Sequence, residues 1–310
     1  MTSPLMDAPL ARRHGTVALP GTDLYYQARG RGPLLLISES GEGDADRSRL
    51  LADRLARHYT VVTYDRRGLS RSVPLDDRTV TMRTHADDAV RLIDAVRDSG
   101  LDGLTEDPAV MLGCSIGAVI GLHIAVEHPD RLAALIAHEP VAPWLLSDPD
   151  AARHRAELQH CQDVFLKQGW RAALAPMAKT LGIDPSNQRT EPDAVLPALD
   201  DRRAKNFARF LGIDFSAIAA DALDPAALRE TPVRILPAVG ALTPQGVFDR
   251  RCAERLASLR DVELSTFPGG HNGNMTHPSA YADAVLAALG SQAESTSATG
   301  RVRPDSCANG

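Results

Sequence analysis

The stretch AVMLGCSIGAVIGLHIAV, residues 109–126, is the least polar part of this 310-residue chain, and Cys114-Ser115 is a short polar break within it. Three interpretations fit such a stretch: a membrane-spanning helix, a plain buried segment, or a strand, a tight turn and a helix that together present a serine. A membrane span needs roughly 18 or more apolar residues. This stretch contains three glycines, a serine and a histidine, so we expect that it does not span a membrane.

The composition of the chain is that of a soluble globular protein, with 44% hydrophobic and 24% charged residues. A net charge of −6 without any dense lysine and arginine cluster argues against nucleic acid as a partner. The N-terminus lacks the continuous apolar core of a signal peptide, and the four cysteines match neither a zinc spacing nor a CxxC pair. We therefore expect a cytoplasmic protein with reduced thiols that acts on a small molecule and has no membrane partner. The sequence leaves assembly into a homo-oligomer open.

Strand-like and helix-like segments alternate on both sides of this stretch. Short, continuous apolar runs predict buried strands, and the segments between them carry apolar side chains at helical spacing. Such alternation indicates an α/β fold, with a mostly parallel sheet and helices on both faces. An opening hairpin is predicted at 17–28, strands at 33–38, 60–65, 109–114, 132–138, 233–240 and 262–267, and helices at 44–58, 85–97, 117–127, 248–259 and 279–289.

The alternation stops between Trp144 and Glu230, where the sequence is rich in helical patterns and large apolar side chains. We interpret residues 144–230 as a helical cap inserted into a core that is formed by residues 1–143 and 231–290. From residue 291 the chain turns to serine, alanine, threonine and glycine. This composition predicts a disordered tail over residues 291–310.

Residues 113–117, Gly-Cys-Ser-Ile-Gly, fit the pattern G-x-S-x-G between a predicted strand and a predicted helix. The turn in this motif is so tight that a side chain at either glycine would collide with its neighbours. The serine then stands above the sheet at the start of a helix, where the positive end of the helix dipole favours developing negative charge. Ser115 is therefore a candidate nucleophile. It needs a base to activate it.

A candidate base is His271, within the glycine-rich loop of FPGGHNGNMTHP that follows the last predicted strand. A histidine in that loop lies at the edge of the sheet, close to the helix that begins after Ser115. The order serine then histidine along the chain is the one found in sheets of this kind.

Three motifs, in this order, resemble those of the α/β-hydrolase superfamily: the serine turn at 113–117, the loop YDRRGLSRS at 64–72, and GGHNG around His271. The resemblance covers residues 17 to 289. It implies an α/β-hydrolase fold with a helical cap, and it implies that Ser115 is the nucleophile and His271 the base of an esterase-like serine hydrolase.

The acid of the triad is less clear from the resemblance. The family usually places an aspartate after the strand predicted at 233–240, but this chain has Ala-Leu-Thr-Pro-Gln there. Asp249 comes later, within a predicted helix, and we expect it to face away from the site. A second arrangement in the family puts the acid after the preceding core strand, where this chain has Glu139. We therefore expect Glu139 to orient His271.

By the same resemblance, two backbone N–H groups form the oxyanion hole, those of Ile116 and Glu42. Glu42 follows Ser40-Gly41, where the family has a His-Gly pair, so this loop departs from the pattern. Because a carboxylate beside an oxyanion would oppose it, we expect the side chains of Glu39 and Glu42 to point into solvent.

These features predict a serine hydrolase that cleaves a small or medium apolar carboxylic ester through an acyl-enzyme, without cofactor or metal. Two alternatives stay open. The same fold could act as a cofactor-free lyase or oxygenase in which His271 is the base, or as a non-catalytic protein that binds a small molecule under the cap.

Overall fold

A mostly parallel β-sheet forms the centre of the protein. The computed structural model describes residues 12–76, 79–185 and 189–290, so the predicted tail at 291–310 lies outside the described residues. The strands follow the spatial order β1-β2-β4-β3-β6-β7-β8-β9, and the short β5 pairs with β2. The strands are β1 (Arg12–Leu19), β2 (Thr22–Arg29), β3 (Leu34–Ser38), β4 (Thr60–Tyr64), β5 (Val73–Pro74), β6 (Ala109–Cys114), β7 (Leu132–His138), β8 (Arg234–Gly240) and β9 (Ser265–Phe267).

Strands β3, β4, β6, β7, β8 and β9 pair in parallel, and the opening hairpin of β1 and β2 adds an antiparallel edge. Parallel neighbours need crossover connections, and helices supply them between the central strands. This arrangement confirms the predicted fold class.

Helices cover both faces of the sheet, as the side chains of β3 illustrate. Leu34 and Leu36 belong to one apolar core, while Leu35 and Ile37 belong to the other, because successive strand residues point to opposite faces. Helices α1 and α11 pack on one face, and α2, α3 and α9 pack on the other. The bounds of these helices are α1 (Arg49–Leu55), α2 (Met82–Asp98), α3 (Ile116–Glu127), α9 (Phe248–Arg260) and α11 (Pro278–Gly290).

Residues 109–126 divide into β6, a turn at Ser115 and the buried helix α3. The low polarity of this stretch comes from burial on all sides, since the residues of α3 from Ile116 to Ala125 are all buried. Among the described residues, no helix has the length and apolar character needed to cross a membrane.

Five α-helices of the described residues lie between β7 and β8, in the part of the chain that the sequence predicts to be a cap. Side chains of α5 and α6 share a cavity with Ser115, so this region covers the serine. The predicted cap boundaries at 144 and 230 stay a prediction. The helices are α4 (Asp148–Gln168), α5 (Trp170–Thr180), α6 (Asp201–Arg209), α7 (Phe215–Ala220) and α8 (Pro225–Glu230), and a π-helical segment, Phe210–Asp214, joins α6 to α7.

Two predicted elements are shorter than the sequence pattern suggests. The helix expected at 44–58 spans only Arg49–Leu55, because Asp44 accepts a hydrogen bond from the Asp46 amide (2.8 Å) and forms a turn instead. The last strand is Ser265–Phe267 rather than 262–267. A four-residue helix, α10 (Gly273–Thr276), follows the predicted histidine loop.

Candidate active site

Ser115 occupies a strained turn between β6 and α3. Its backbone has φ 59° and ψ −118°, a conformation that costs a residue with a side chain about 1–3 kcal/mol. The Ser115 amide donates to the carbonyl of His138 at the end of the neighbouring strand β7 (2.9 Å). This bond holds the turn at the carboxyl edge of the sheet.

The two glycines of the serine motif permit close backbone contacts. A Cβ on Gly113 would lie 2.5 Å from the carbonyl oxygen of Gly117, and a Cβ on Gly117 would lie 2.0 Å from the carbonyl oxygen of Ser38. Only hydrogen fits at these positions. The start of α3 therefore packs directly against the end of β3 and the loop that follows it.

His271 and Glu139 meet at the same edge of the sheet. Nδ1 of His271 lies 2.8 Å from Oε2 of Glu139, and the carboxylate accepts the Nδ1–H hydrogen bond. The amide of Gly240 donates to the other oxygen, Oε1 (2.8 Å). Glu139 follows β7 directly and has a left-handed backbone, with φ 47°. The structure thus brings together the histidine and the carboxylate that the sequence singled out.

Asp249 also contacts His271, which contradicts the expectation that it faces away. Its Oδ2 lies 2.6 Å from the same Nδ1, and the residue is fully buried in the first turn of α9. Because Nδ1 carries one hydrogen, which points to Glu139, Oδ2 of Asp249 has no hydrogen-bond partner among the described residues. The sequence predicted this helix and its start at Phe248 correctly, but the first turn of the helix packs with Asp249 toward the histidine rather than away from it.

The environment separates the pKa values of these three groups. Burial would lower the pKa of His271, but the carboxylates of Asp249 and Glu139 outweigh it and raise the pKa to about 10. Burial would raise the pKa of Glu139, but the hydrogen bond from His271 and the nearby imidazoles lower it to about 2. Burial raises the pKa of Asp249 to about 6; His271 opposes this change and Glu139 adds to it. Glu139 is therefore the stronger acid of the pair.

Ser115 and His271 line one cavity of about 300 Å³ beneath helices that lie between β7 and β8. Nε2 of His271 is buried and has no hydrogen-bond partner among the described residues, so the two side chains are not hydrogen-bonded to each other. Hydrogen bonds between a nucleophile and its base are often long without substrate. The segment between β7 and β8 adds apolar walls from Leu174, Met177, Leu181, Phe207 and Phe210, and the charged side chains of Glu42, Arg47 and Arg203 line the same cavity.

The two candidate oxyanion donors lie near this cavity. Ile116 is the first residue of α3, so its N–H has no acceptor within the helix. Ser40, Gly41 and Glu42 line the cavity together with Ser115. We call residues 39–43, between β3 and α1, the oxyanion loop.

The acidic side chains of this loop are buried, contrary to the expectation that they are solvated. Glu42 pairs with Arg47 and with Arg203 of α6, whose Nη2 lies 2.8 Å from Oε2. Burial would raise the pKa of Glu42, but these two arginines lower it. Asn274 donates to Glu39 (3.0 Å), whose pKa burial raises. Two arginines thus offset the charge of Glu42 without solvent, whereas burial favours the protonated form of Glu39.

The described residues include two groups of side chains with a spacing that could hold a metal ion. Atoms of Glu139, Asp249 and His271 lie within 4.8 Å of one another, as do atoms of Asp87, Glu127 and His128 nearer the surface. In the first group Nδ1 of His271 already hydrogen-bonds Glu139. In the second, Arg83 binds Glu127 (2.6 Å). Hydrogen bonds and ion pairs account for both groups.

A family model described as the alpha/beta hydrolase fold matches residues 33–211 of the chain. The chain belongs to this family. The uncharacterized hydrolase YraK of Bacillus subtilis (strain 168) is 35% identical over 267 residues, which cover 84% of this chain and 90% of that protein. The protein is thus an enzyme of the hydrolase class, as the sequence motifs predict.

Solved structures agree with the fold of this hydrolase. The enol-lactonase from Burkholderia xenovorans LB400 has a TM-score of 0.64 at 19% identity, over 89% of this chain and 100% of that chain. The carboxylesterase CesB (YbfK) from Bacillus subtilis has a TM-score of 0.62 at 16% identity, over 91% of this chain and 92% of that chain. At these identities the likeness concerns the fold.

The environment of His271 in this hydrolase leads to a prediction about its titration. We expect the imidazole to lose its proton well above the ordinary histidine pKa of about 6.5, because two carboxylates stabilise the imidazolium. Asp249→Asn removes one negative charge and should lower the midpoint by about 1–3 pH units. NMR of ¹⁵N-histidine-labelled protein measures this midpoint, with the signal assigned from its loss in His271→Gln. A wild-type midpoint at or below the ordinary value would contradict the arrangement described above.

Proposed function

We propose that the protein is a serine hydrolase that cleaves a small or medium apolar carboxylic ester through an acyl-enzyme. The observation that carries this proposal is the pairing, in one buried cavity, of a serine on a strained turn with a histidine whose Nδ1 is bound to a buried carboxylate. This arrangement leaves Nε2 of His271 free to act on a group within the cavity.

The reaction begins when Oγ of Ser115 attacks the ester carbonyl while Nε2 of His271 takes the hydroxyl proton. The amides of Ile116 and Glu42 stabilise the resulting oxyanion. His271 then gives its proton to the alkoxide that leaves, and an acyl-enzyme forms on Ser115. In the second half, His271 takes a proton from water, the hydroxide attacks the acyl group, and Ser115 is restored.

Glu139 is the acid that orients His271 in this scheme. Its low pKa keeps it ionised, and its two oxygens are fixed by the Gly240 amide and the His271 ring. In the neutral form of His271, which is populated increasingly as the pH rises toward its raised pKa, a fixed carboxylate holds the imidazole in the tautomer that presents a bare Nε2 to the serine. Asp249 adds a second charge beside the same nitrogen but accepts no hydrogen bond from it.

The walls of the cavity support the choice of substrate. The cap supplies Leu174 and Met177 from α5 and Leu181 directly after it, together with Phe207 and Phe210. A cavity of about 300 Å³ is at the small end of the usual range for ligand sites, roughly 300–1,000 Å³. It suits an acyl group of modest length without charge.

A fluorophosphonate tests the nucleophile directly, because it reacts with an activated serine and leaves a stable phosphonyl adduct. We expect mass spectrometry to locate one adduct on Ser115, and we expect no adduct in Ser115→Ala or His271→Ala. Ser72→Ala, a buried serine in the loop after β4, serves as the control and should label normally. Wild-type protein that does not label at all would contradict the proposal.

The two acids are separated by Glu139→Gln and Asp249→Asn. We expect Glu139→Gln to lower kcat for a p-nitrophenyl ester on the order of 10²–10⁴-fold, because the amide cannot accept the Nδ1–H bond while keeping the Gly240 contact. Asp249→Asn should lower kcat for the same ester by a smaller factor. A larger loss in Asp249→Asn than in Glu139→Gln would assign the acid role to Asp249 instead.

The cavity wall predicts acyl-chain preference. We expect p-nitrophenyl butyrate and hexanoate to be hydrolysed much faster than the dodecanoate. Met177→Ala removes part of the wall and should raise the rate for the longer ester relative to the butyrate. Leu158→Ala is the matched control, because Leu158 is buried in α4 but does not line the cavity. Equal ratios in the two variants would show that this wall does not select the acyl group.

A further inference from the structure

Arg66 is a buried arginine that the proposed reaction does not use. It lies in the loop after β4, is 2% exposed, and reaches toward the oxyanion loop. Its neighbour Arg67 is buried to the same degree, at 3%. Two buried guanidinium groups in succession are unusual, since arginine is almost never fully buried unless it is paired. Their partners therefore indicate what each one does.

Arg66 donates to three consecutive carbonyl groups of the oxyanion loop. Nη2 lies 2.6 Å from the carbonyl oxygen of Gly41. Nη1 lies 3.3 Å from the carbonyl oxygens of both Glu39 and Ser40. A planar guanidinium with five donors can hold several carbonyls at once, which a lysine ammonium on a flexible stem cannot do with the same geometry.

These bonds fix the direction of the loop amides. In a planar trans peptide unit, the C=O of one residue and the N–H of the next point in opposite directions. Because the Gly41 carbonyl points toward Arg66, the Glu42 N–H points away from Arg66. The Ser40 carbonyl also accepts from the Gly43 amide (2.9 Å), which closes the turn. The conformation of the peptide that carries the candidate oxyanion donor is thus set by Arg66.

Asp214 holds the other side of the guanidinium. Its Oδ2 accepts from Nη2 (2.7 Å) and Nε (3.1 Å) of Arg66, while Nε2 of His85 lies 3.3 Å from its Oδ1. Burial would raise the pKa of Asp214, but Arg66 and His85 lower it to about 2, so the pair is ionic. Asp214 ends the π-helical segment of the cap region. Arg66 therefore connects this segment with the oxyanion loop.

Arg67 has a different set of partners. Its Nε and Nη2 bind the two oxygens of Asp88 on α2 (2.8 and 2.6 Å), and its Nη1 donates to the carbonyl of Pro20 (3.0 Å). These contacts join the opening hairpin to α2. Arg67 is thus as buried and as strongly paired as Arg66, but within the described residues its side chain hydrogen-bonds Asp88 and Pro20 rather than the oxyanion loop.

We propose that Arg66 is a positioning residue that holds the oxyanion loop in the conformation in which the Glu42 amide serves the oxyanion. Arg66 itself contacts neither substrate nor Ser115. From outside the loop, Arg66 anchors a segment that lacks the histidine of the family pattern. The expected effect on kcat rests on the proposed function, but the anchoring of the loop can be measured without any substrate.

The kinetic test compares Arg66→Lys with Arg67→Lys. Each keeps a positive charge beside its aspartate, so neither leaves a buried carboxylate without a cation. Loss of one oxyanion donor lowers kcat on the order of 10²–10³-fold. We expect Arg66→Lys, which only loosens the loop that carries this donor, to lower kcat by about 10-fold or more with KM nearly unchanged. Arg67→Lys should alter kcat by less than about threefold. Equal losses in the two variants would overturn the proposal, because a general loss of stability would affect both.

Amide hydrogen exchange provides the second measurement. The Gly43 amide, which donates to Ser40, should exchange faster in Arg66→Lys than in wild type, relative to a core amide such as that of Met111. Arg67→Lys should leave this ratio unchanged. An unchanged ratio in Arg66→Lys would overturn the proposal. If the fluorophosphonate failed to label wild-type protein, the proposed function would fall while the exchange comparison would still decide whether Arg66 holds the loop.

A paired substitution covers the case in which Arg66→Lys does not fold. Arg66→Gln with Asp214→Asn removes both charges together, and Arg67→Gln with Asp88→Asn is its matched control. Faster Gly43 exchange and lower kcat in the first pair alone would support the proposal. The same change in both pairs, or in neither, would overturn it.

Discussion

The site depends on one backbone contact, the packing of Gly117 against the end of β3. Because Gly117 has only a hydrogen atom as its side chain, α3 starts directly beside the Ser38 carbonyl. The Ile116 amide at the start of this helix therefore lies next to the oxyanion loop. Ser115, directly before this helix, has a positive φ that costs about 1–3 kcal/mol. Burial of Ile116, Val119 and Ile120 in α3 offsets this strain, at about 1.5–3 kcal/mol for each side chain.

The two buried carboxylates beside His271 differ in the hydrogen bonds that they accept and in their pKa values. A carboxylate that accepts hydrogen bonds favours its charged form, and one that is buried without them favours its proton. Glu139 accepts from the Gly240 amide and from His271, whereas Oδ2 of Asp249 accepts no hydrogen bond among the described residues. The hydrogen bond from His271 and the nearby imidazoles therefore lower the pKa of Glu139, whereas burial raises the pKa of Asp249.

Local patterns in the sequence were sufficient for the fold and for the positions of Ser115 and His271. The glycine spacing and the strand before it are properties of a few adjacent residues, so they can be recognised without the structure. Asp249 could not be placed in this way, although its helix begins at the predicted residue, because the side of a helix that faces the site depends on how the helix packs on the sheet.

Glu39 and Glu42 are a further case, after Asp249, in which the sequence did not predict the surroundings of a side chain. Two acids in a short polar loop have the composition of a solvated turn, and the partner that buries Glu42 lies 161 residues away, at Arg203. No spacing rule connects positions so distant in the chain. The partner is set by the packing of α6 over the sheet, which depends on the whole fold.

The two ion pairs that join the cap region to the oxyanion loop imply that this region does more than cover the cavity. Arg203 of α6 binds Glu42, and Asp214 binds Arg66, which in turn holds the loop carbonyls. Buried ion pairs contribute little net stability, because desolvation offsets much of their attraction, but they fix geometry strongly. Two separate cap segments thus reach the same five-residue loop. A movement of either segment would change the direction of the loop amides, so the packing of these helices and the conformation of residues 39–43 are physically coupled in this hydrolase.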